Sequence, residues 1–157
     1  MTAENLACPL SKGEKILIAV DGSINSDFAV DQALSIATAC QSQVFAISVA
    51  DVYPHLMERA PNVKDKLIRE TESILKKVKE KAKEANIDCE IILHVGHQPH
   101  ECIVQEAKDR KIDLIVMGTH GWTGLRKFIM GSVAQKVIGY TPCPVMIVPA
   151  KATKSSS

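Results

Sequence analysis

Short apolar segments alternate along this chain with amphipathic ones. Five runs rich in Ile and Val lack the strict apolar–polar alternation of a half-exposed strand, at 16–20, 44–50, 91–95, 114–117 and 145–148. Such continuous runs are typical of strands that are covered on both faces of a sheet. The sequence therefore predicts five buried strands.

Helical patterns occupy the stretches between these runs. Apolar and small residues recur at steps of three and four in 29–40 and again in 63–85, which predicts an amphipathic helix in each stretch. A third helix is predicted to begin near Pro99, because proline is tolerated in a first turn. A fourth is predicted to begin at Ser132 and to end before Pro142.

Four strand–helix units and a closing strand predict an α/β fold. We expect a single doubly wound domain, Rossmann-like, whose parallel sheet carries helices on both faces. The domain is expected to span residues 13–150, with flexible termini at 1–12 and 151–157. Residues 51–62 contain two prolines and form the longest predicted connection, a candidate flexible flap.

Composition and charge exclude several classes of partner. Nineteen Lys and Arg against eighteen Asp and Glu leave a formal charge of +1 in 157 residues, which gives no electrostatic reason to bind nucleic acid or an anionic membrane. The longest uninterrupted apolar run is far shorter than the ~18 residues of a membrane span, and no signal-peptide pattern opens the chain. We therefore expect a cytoplasmic protein with neither nucleic acid nor membrane as a partner.

The cysteines are predicted to be reduced thiols. Their odd count and the lack of a CxxC pair argue against a disulfide framework, and they stand at positions 8, 40, 89, 102 and 143. The cluster of His94, His97, His100 and Cys102 lacks a second ligand pair at zinc-like spacing, so no metal site is predicted.

The candidate chemistry follows the fourth strand, because ligands of open parallel sheets bind beyond the carboxyl ends of the strands. Gly118 ends that strand and leaves room for a ribose or phosphate to approach the backbone. Gly121 can take a positive φ, which lets successive N–H groups form an anion-binding nest. Gly131 and Ser132 open the fourth helix, whose first N–H groups favour a phosphate.

These residues alone leave open the alternative that the three glycines only form turns and that an ordinary helix starts at Gly131. Other phosphate-binding motifs are absent from the sequence, since neither GxxxxGK[ST] nor GxGxxG after the first strand occurs. A hydrolase elbow, GxSxG, is absent as well.

The spacing G-x2-G-x9-G-[ST] between the fourth strand and the fourth helix resembles the nucleotide-binding branch of the universal stress protein (UspA-like) family. The opening ILIAVDGS, the Ser-Val that ends the second strand, the phrase DLIVMGTHG and the closing TPCPVMIVP follow in the family's order. The resemblance covers about residues 13–149. It implies a sheet ordered 3-2-1-4-5, a homodimer joined through the Val145–Val148 strand, and an adenine nucleotide, ATP or AMP, as ligand.

The resemblance also implies site residues by position. The adenine and ribose would contact Ala19, Asp21 and Val49. The ribose and first phosphate would contact Met117, Gly118, His120 and Gly121. The outer phosphates would meet backbone N–H groups of Gly131, Ser132 and Val133, and any Mg²⁺ would be bound through the phosphates. Ala19 stands where some nucleotide-binding relatives have proline, a departure that concerns only packing.

The expected function is a dimeric sensor or regulator in a stress response that binds adenine nucleotide, with no catalytic residue assigned. One alternative is a slow ATPase or phosphotransferase, in which Asp21 and His120 would have to do the chemistry; the missing P-loop lysine argues against it, and at most weak ATP hydrolysis is expected. Another alternative is a ligand-free dimeric interaction module.

Overall fold

The computed structural model describes residues 8, 10, 14–120 and 130–149. Within that part, five strands and five helices follow one another along the chain: β1 Lys15–Ala19, α1 Ile24–Cys40, β2 Gln43–Asp51, α2 Pro54–Met57, α3 Pro61–Glu84, β3 Cys89–Gly96, α4 Pro99–Asp109, β4 Leu114–Gly118, α5 Ser132–Tyr140 and β5 Val145–Val148. All five predicted strands and all four predicted helices are confirmed.

The described strands form one parallel sheet in the order β3-β2-β1-β4-β5, which confirms the doubly wound α/β fold. Central strand β1 is buried on both faces because alternate side chains point to opposite sides of a strand. Ile16 and Ile18 pack with α1 and α3, whereas Leu17 and Ala19 pack with α4 and α5. This two-sided burial explains why the strand reads as a continuous apolar run.

The helices present the faces that the sequence predicts. Helix α3 buries Thr71, Leu75, Val78 and Ala82, which lie three and four residues apart, and exposes its glutamates and all of its lysines except the half-buried Lys64. Helix α1 begins earlier than the apolar pattern alone indicates, because Ser23 caps it. Small side chains on its buried face, such as Ala29 and Ala33, allow it to lie close to the sheet. No described helix is long and apolar enough to cross a membrane.

The connection after β2 is more regular than predicted, because helices occupy part of the stretch 51–62. That it moves as a flexible flap stays a prediction. Pro54 and Pro61 are the first residues of α2 and α3. Proline is compatible with a first helical turn because its missing N–H has no intrahelical acceptor there. The Val52 N–H also donates to the Gly96 carbonyl at 2.9 Å, which ties the start of this connection to the end of β3.

The cysteine prediction needs a correction. Cys8 and Cys40 form a disulfide, with their Cα atoms 4.6 Å apart, so the expectation of five reduced thiols is wrong for this pair. Leu10, inside the terminus predicted to be flexible, packs against the core on the α1 side of the sheet. The other three cysteines, Cys89, Cys102 and Cys143, are free thiols as predicted. The remaining residues of 1–12, and 151–157, lie outside the described residues, and the domain limits 13–150 stay a prediction.

Candidate functional site

The ends of β1 and β4 border the crevice where a doubly wound sheet binds its ligands. These two strands are neighbours in the sheet, but α1 follows β1 onto one face and α5 follows β4 onto the other. The connections therefore diverge and leave a crevice beyond the carboxyl ends of the strands. The structure brings Asp21 to the β1 side of this crevice and Gly118 to the β4 side, as predicted from the sheet order.

The turn from β1 into α1 is held by its own side chains. The Ser23 N–H donates to Asp21 Oδ1 at 2.9 Å, and Gly22 takes a φ of 80°, a conformation that favours glycine. The Ser23 hydroxyl then accepts from the Ser26 N–H at 3.3 Å and caps α1. The Asp-Gly-Ser sequence thus places the first turn of α1 at the crevice.

Gly118 lets the end of β4 approach that first turn. A Cβ at position 118 would lie 3.0 Å from the Asn25 carbonyl oxygen and 3.2 Å from the Asn25 Cβ. From the sequence, this glycine was expected to make room for a ligand. In the structure, the backbone and side chain of Asn25 occupy the space that a side chain at position 118 would need. Gly118 is therefore required for packing between β4 and α1.

Gly131 joins the start of α5 to the end of β4. Its N–H donates to the Thr119 carbonyl at 2.7 Å, and a Cβ at position 131 would lie 3.0 Å from the same oxygen. Gly131 was predicted to donate its backbone N–H to a phosphate. In the structure that N–H is already used in the bond to the Thr119 carbonyl. The N–H groups of Ser132 and Val133 have no acceptor within the helix, as is general for the first N–H groups of a helix. Gly121 lies outside the described residues.

Two polar atoms beside the end of β4 are buried without a hydrogen-bond partner in the part of the chain that the structure describes: Asn25 Oδ1 and His120 Nε2. The other ring nitrogen of His120, Nδ1, lies 2.9 Å from Thr119 Oγ1. Leaving a buried polar atom unpaired costs about 1–3 kcal/mol, so such atoms are uncommon away from functional sites. His120 is among the residues predicted from the sequence, whereas Asn25 is not. The only signal for Asn25 in the sequence is an amide side chain in the first turn after Asp-Gly-Ser.

The remaining predicted residues lie on one face of the sheet. Ala19 and Met117 are buried in the core on the α4 and α5 side. Val49 is half-buried on β2, and by alternation it faces the same side as Phe45 and Ile47. These three side chains come from the carboxyl ends of three adjacent strands, so they form an apolar floor on the face where α5 begins.

Two other features of the molecule do not involve the predicted site residues. A cavity of about 120 Å³ lies on the opposite face of the sheet, between α1 and α3, and its lining includes Gly22 and Ser26 from the turn into α1. His94, from the histidine cluster, lies 2.8 Å from Glu106 through its Nε2. Among the described residues, no group of three or more metal-ligating side chains is placed to hold an ion.

A family model described as the universal stress protein family matches residues 13–149, which is most of the chain. The chain belongs to the universal stress protein family. Among its relatives, universal stress protein MJ0531 of Methanocaldococcus jannaschii is 40% identical over 139 residues, which cover 86% of this chain and 81% of that protein. Universal stress protein YxiE of Bacillus subtilis is 32% identical over 148 residues, covering 85% of this chain and 97% of that protein.

Solved structures of universal stress proteins share this fold. The structure of protein MJ0577 has a TM-score of 0.79 at 30% identity, covering 89% of this chain and 98% of that one. A universal stress protein in complex with cAMP has a TM-score of 0.67 at 28% identity, covering 86% and 96%. An Arabidopsis thaliana family protein with AMP bound has a TM-score of 0.63, covering 88% and 93%, and at 17% identity it shows the fold alone.

The close approach of β4 to α1 predicts a specific cost for a methyl group at position 118. Gly118→Ala should lower the free energy of unfolding by about 1–3 kcal/mol, because the added Cβ is forced against the Asn25 carbonyl. Gly139→Ala is the matched control: nothing lies within 4 Å of a Cβ there, and alanine in helix α5 should stabilise by up to about 1 kcal/mol. Urea denaturation of both variants measures the difference. Equal stability of Gly118→Ala and the unmodified protein would show that β4 and α1 do not pack this closely.

Proposed function

We propose that this universal stress protein binds an adenine nucleotide in the crevice between β1 and β4, and that it acts as a cytoplasmic dimeric sensor or regulator. The observation that carries the proposal is the placement of helix α5. The bond between the Gly131 N–H and the Thr119 carbonyl sets the start of α5 directly beside the end of β4. The N–H groups of Ser132 and Val133, which have no acceptor within the helix, then lie at the crevice, where an anion would accept hydrogen bonds from them.

The phosphate end of the nucleotide fits the start of α5. The first N–H groups of a helix and the positive end of its dipole favour a phosphate. The Ser132 side chain is exposed, so its hydroxyl can add a neutral donor. Any Mg²⁺ would be held mainly by the phosphates, in keeping with its preference for few protein ligands. Gly121 remains part of the proposed phosphate contact on sequence grounds alone.

The nucleoside end fits the apolar floor and the first turn of α1. The half-buried side chain of Val49 offers an apolar contact to an adenine ring, and Ala19 and Met117 are buried in the core on the same face. Asn25 Oδ1 can accept a hydrogen bond from a ribose hydroxyl or the adenine amino group, and His120 Nε2 can pair with a second hydroxyl. A nucleoside would thus supply partners for both buried polar atoms. The complex of a relative with cAMP supports an adenine nucleotide as the class of ligand.

We also propose that the dimer forms through β5. In the described sheet β5 pairs with β4 on one side and lies at the edge on the other. Its four residues are all apolar and all half-buried. Because an exposed apolar edge strand presents unpaired backbone groups, it needs a cover, and the same strand of a second copy supplies one.

The binding proposal predicts a loss of affinity when the Asn25 acceptor is removed. Asn25→Ala should weaken AMP or ATP binding about 5- to 10-fold, the equivalent of one hydrogen bond of roughly 1 kcal/mol. Ile24→Ala is the matched control in the same helical turn, because the Ile24 side chain is 66% exposed. Isothermal titration calorimetry measures both variants. If the unmodified protein binds no adenine nucleotide at millimolar concentration, the proposed function is wrong. If it binds and Asn25→Ala binds equally well, the error lies in the role of Asn25 alone.

The dimer proposal predicts that proline at position 147 separates the two copies. The Ile115 N–H donates to the Pro144 carbonyl, and the Thr119 N–H donates to the Val148 carbonyl. The backbone N–H and C=O groups of the even-numbered residues of β5 therefore point toward β4. The Ile147 N–H, which by alternation points to the open edge, is lost in Ile147→Pro. Sedimentation velocity should show a dimer for the unmodified protein and at least about a tenfold weaker dimer for the variant. Circular dichroism would verify that the variant is folded. An undiminished dimer would place the interface elsewhere.

A further inference from the structure

We propose that Cys8 and Cys40 are a reversible redox pair, a site of thiol modification that reacts with small-molecule disulfides such as oxidised glutathione. In the oxidised state the pair links Cys8 covalently to the end of α1. In the reduced state this covalent link is lost, and the contact of Leu10 with the core holds the segment in place. The proposal goes beyond nucleotide binding and does not rest on it.

The geometry around the pair supports a bond between two segments that are already in contact. Cys40 is the last residue of α1, and Cys8 lies 32 positions earlier, with 4.6 Å between the two Cα atoms. Leu10 follows Cys8 by two residues and packs against the same core cluster as Cys40. The disulfide therefore reinforces an apolar contact, and reduction leaves the two sulfur atoms near each other.

Backbone hydrogen bonds hold the surroundings of Cys40 in place. The Ser42 N–H donates to the Ala37 carbonyl at 3.0 Å, which closes the end of α1. The Gln43 N–H donates to the Glu14 carbonyl at 2.7 Å, which joins the chain before β1 to the start of β2. The end of α1 around Cys40 is thus held independently of the disulfide, and Leu10, two residues after Cys8, packs against the core. This arrangement favours a disulfide that opens and closes without loss of the fold.

The pair lies far from the crevice. Helix α1 has 17 residues, and at 1.5 Å per residue it is about 25 Å long. Its first turn lies at the crevice and its last residue is Cys40. Oxidation and nucleotide binding therefore occur at opposite ends of the helix, so the failure of one proposal leaves the other standing.

The other three thiols are poorly suited to the same reaction, because the thiolate is the reactive form of cysteine. Burial raises the pKa of Cys89 to about 11. Burial also raises the pKa of Cys102 and the pKa of Cys143 above that of an ordinary thiol. Oxidation is therefore directed to Cys8 and Cys40.

The reaction is a pair of thiol–disulfide exchanges. Cys40 ends a helix, where the negative end of the dipole disfavours a thiolate, so Cys8 reacts first. The Cys8 thiolate attacks one sulfur of oxidised glutathione, the glutathione S–S bond breaks, and one glutathione leaves as a thiolate that takes up a proton. Cys40 then loses its proton and attacks Cys8 Sγ, which forms the protein disulfide and expels the second glutathione. Two protein thiols are oxidised and one glutathione disulfide is reduced.

The test equilibrates the full chain with glutathione at a series of oxidised-to-reduced ratios, followed by alkylation and peptide mass mapping. Oxidising mixtures should give one peptide pair joined through Cys8 and Cys40, and reducing mixtures should give both residues alkylated. The melting temperature should be about 5–10 °C higher in the oxidised state, since a bond across a loop of this length constrains the unfolded chain. Cys40→Ser should accumulate a single glutathione adduct on Cys8.

Variants separate this pair from the other cysteines. Cys8→Ser should melt like the reduced protein in every mixture, whereas the control Cys102→Ser should keep the redox-dependent shift. Separate alkylation of Cys8 and Cys40 at full oxidation, or a disulfide to any other cysteine or to a second chain, would overturn the proposal. Equal melting temperatures of the oxidised and reduced protein would overturn the proposed covalent attachment of Cys8 to the end of α1.

Discussion

The hydrogen bond from the Gly131 N–H to the Thr119 carbonyl joins the beginning of α5 to the end of β4. A side chain at position 131 would meet the same carbonyl, so the contact depends on glycine. On the other side of β4, Gly118 allows an equally close contact with Asn25. These two close contacts hold the start of α1 and the start of α5 next to the end of β4, beyond the carboxyl end of the sheet. The dimensions of the crevice therefore follow from two backbone contacts.

Much of the fold could be predicted because strands that are buried on both faces have a recognisable residue pattern. A strand such as β1, covered on both faces, needs an apolar side chain at nearly every position, and such runs are easy to recognise. The prolines at 54 and 61 were harder to interpret, since proline is common both in loops and in the first turn of a helix. The disulfide between Cys8 and Cys40 could not be predicted, because it depends on a tertiary contact between distant segments.

At the candidate site, too, one part of the arrangement could be predicted from the sequence and another part could not. The sequence predicted which connections meet at the crevice and pointed to His120, one of the two described residues whose side chain has a buried polar atom without a partner in the described part of the chain. It assigned the glycines to ligand contact, whereas Gly118 and Gly131 make room for neighbouring backbone. It missed Asn25 because nothing in the local pattern shows that this side chain lies against β4. Glycine spacing thus marks the loop, but the physical reason for each glycine comes from packing.

The central claim is that an anion binds the N–H groups at the start of α5. The most direct measurement is the change of backbone amide resonances in ¹⁵N-labelled protein as AMP is added. The account predicts the largest shifts at Ser132 and Val133, while Glu101, in the first turn of helix α4, remains unchanged. Shifts centred on the cavity between α1 and α3, or equal shifts at both helix starts, would contradict it.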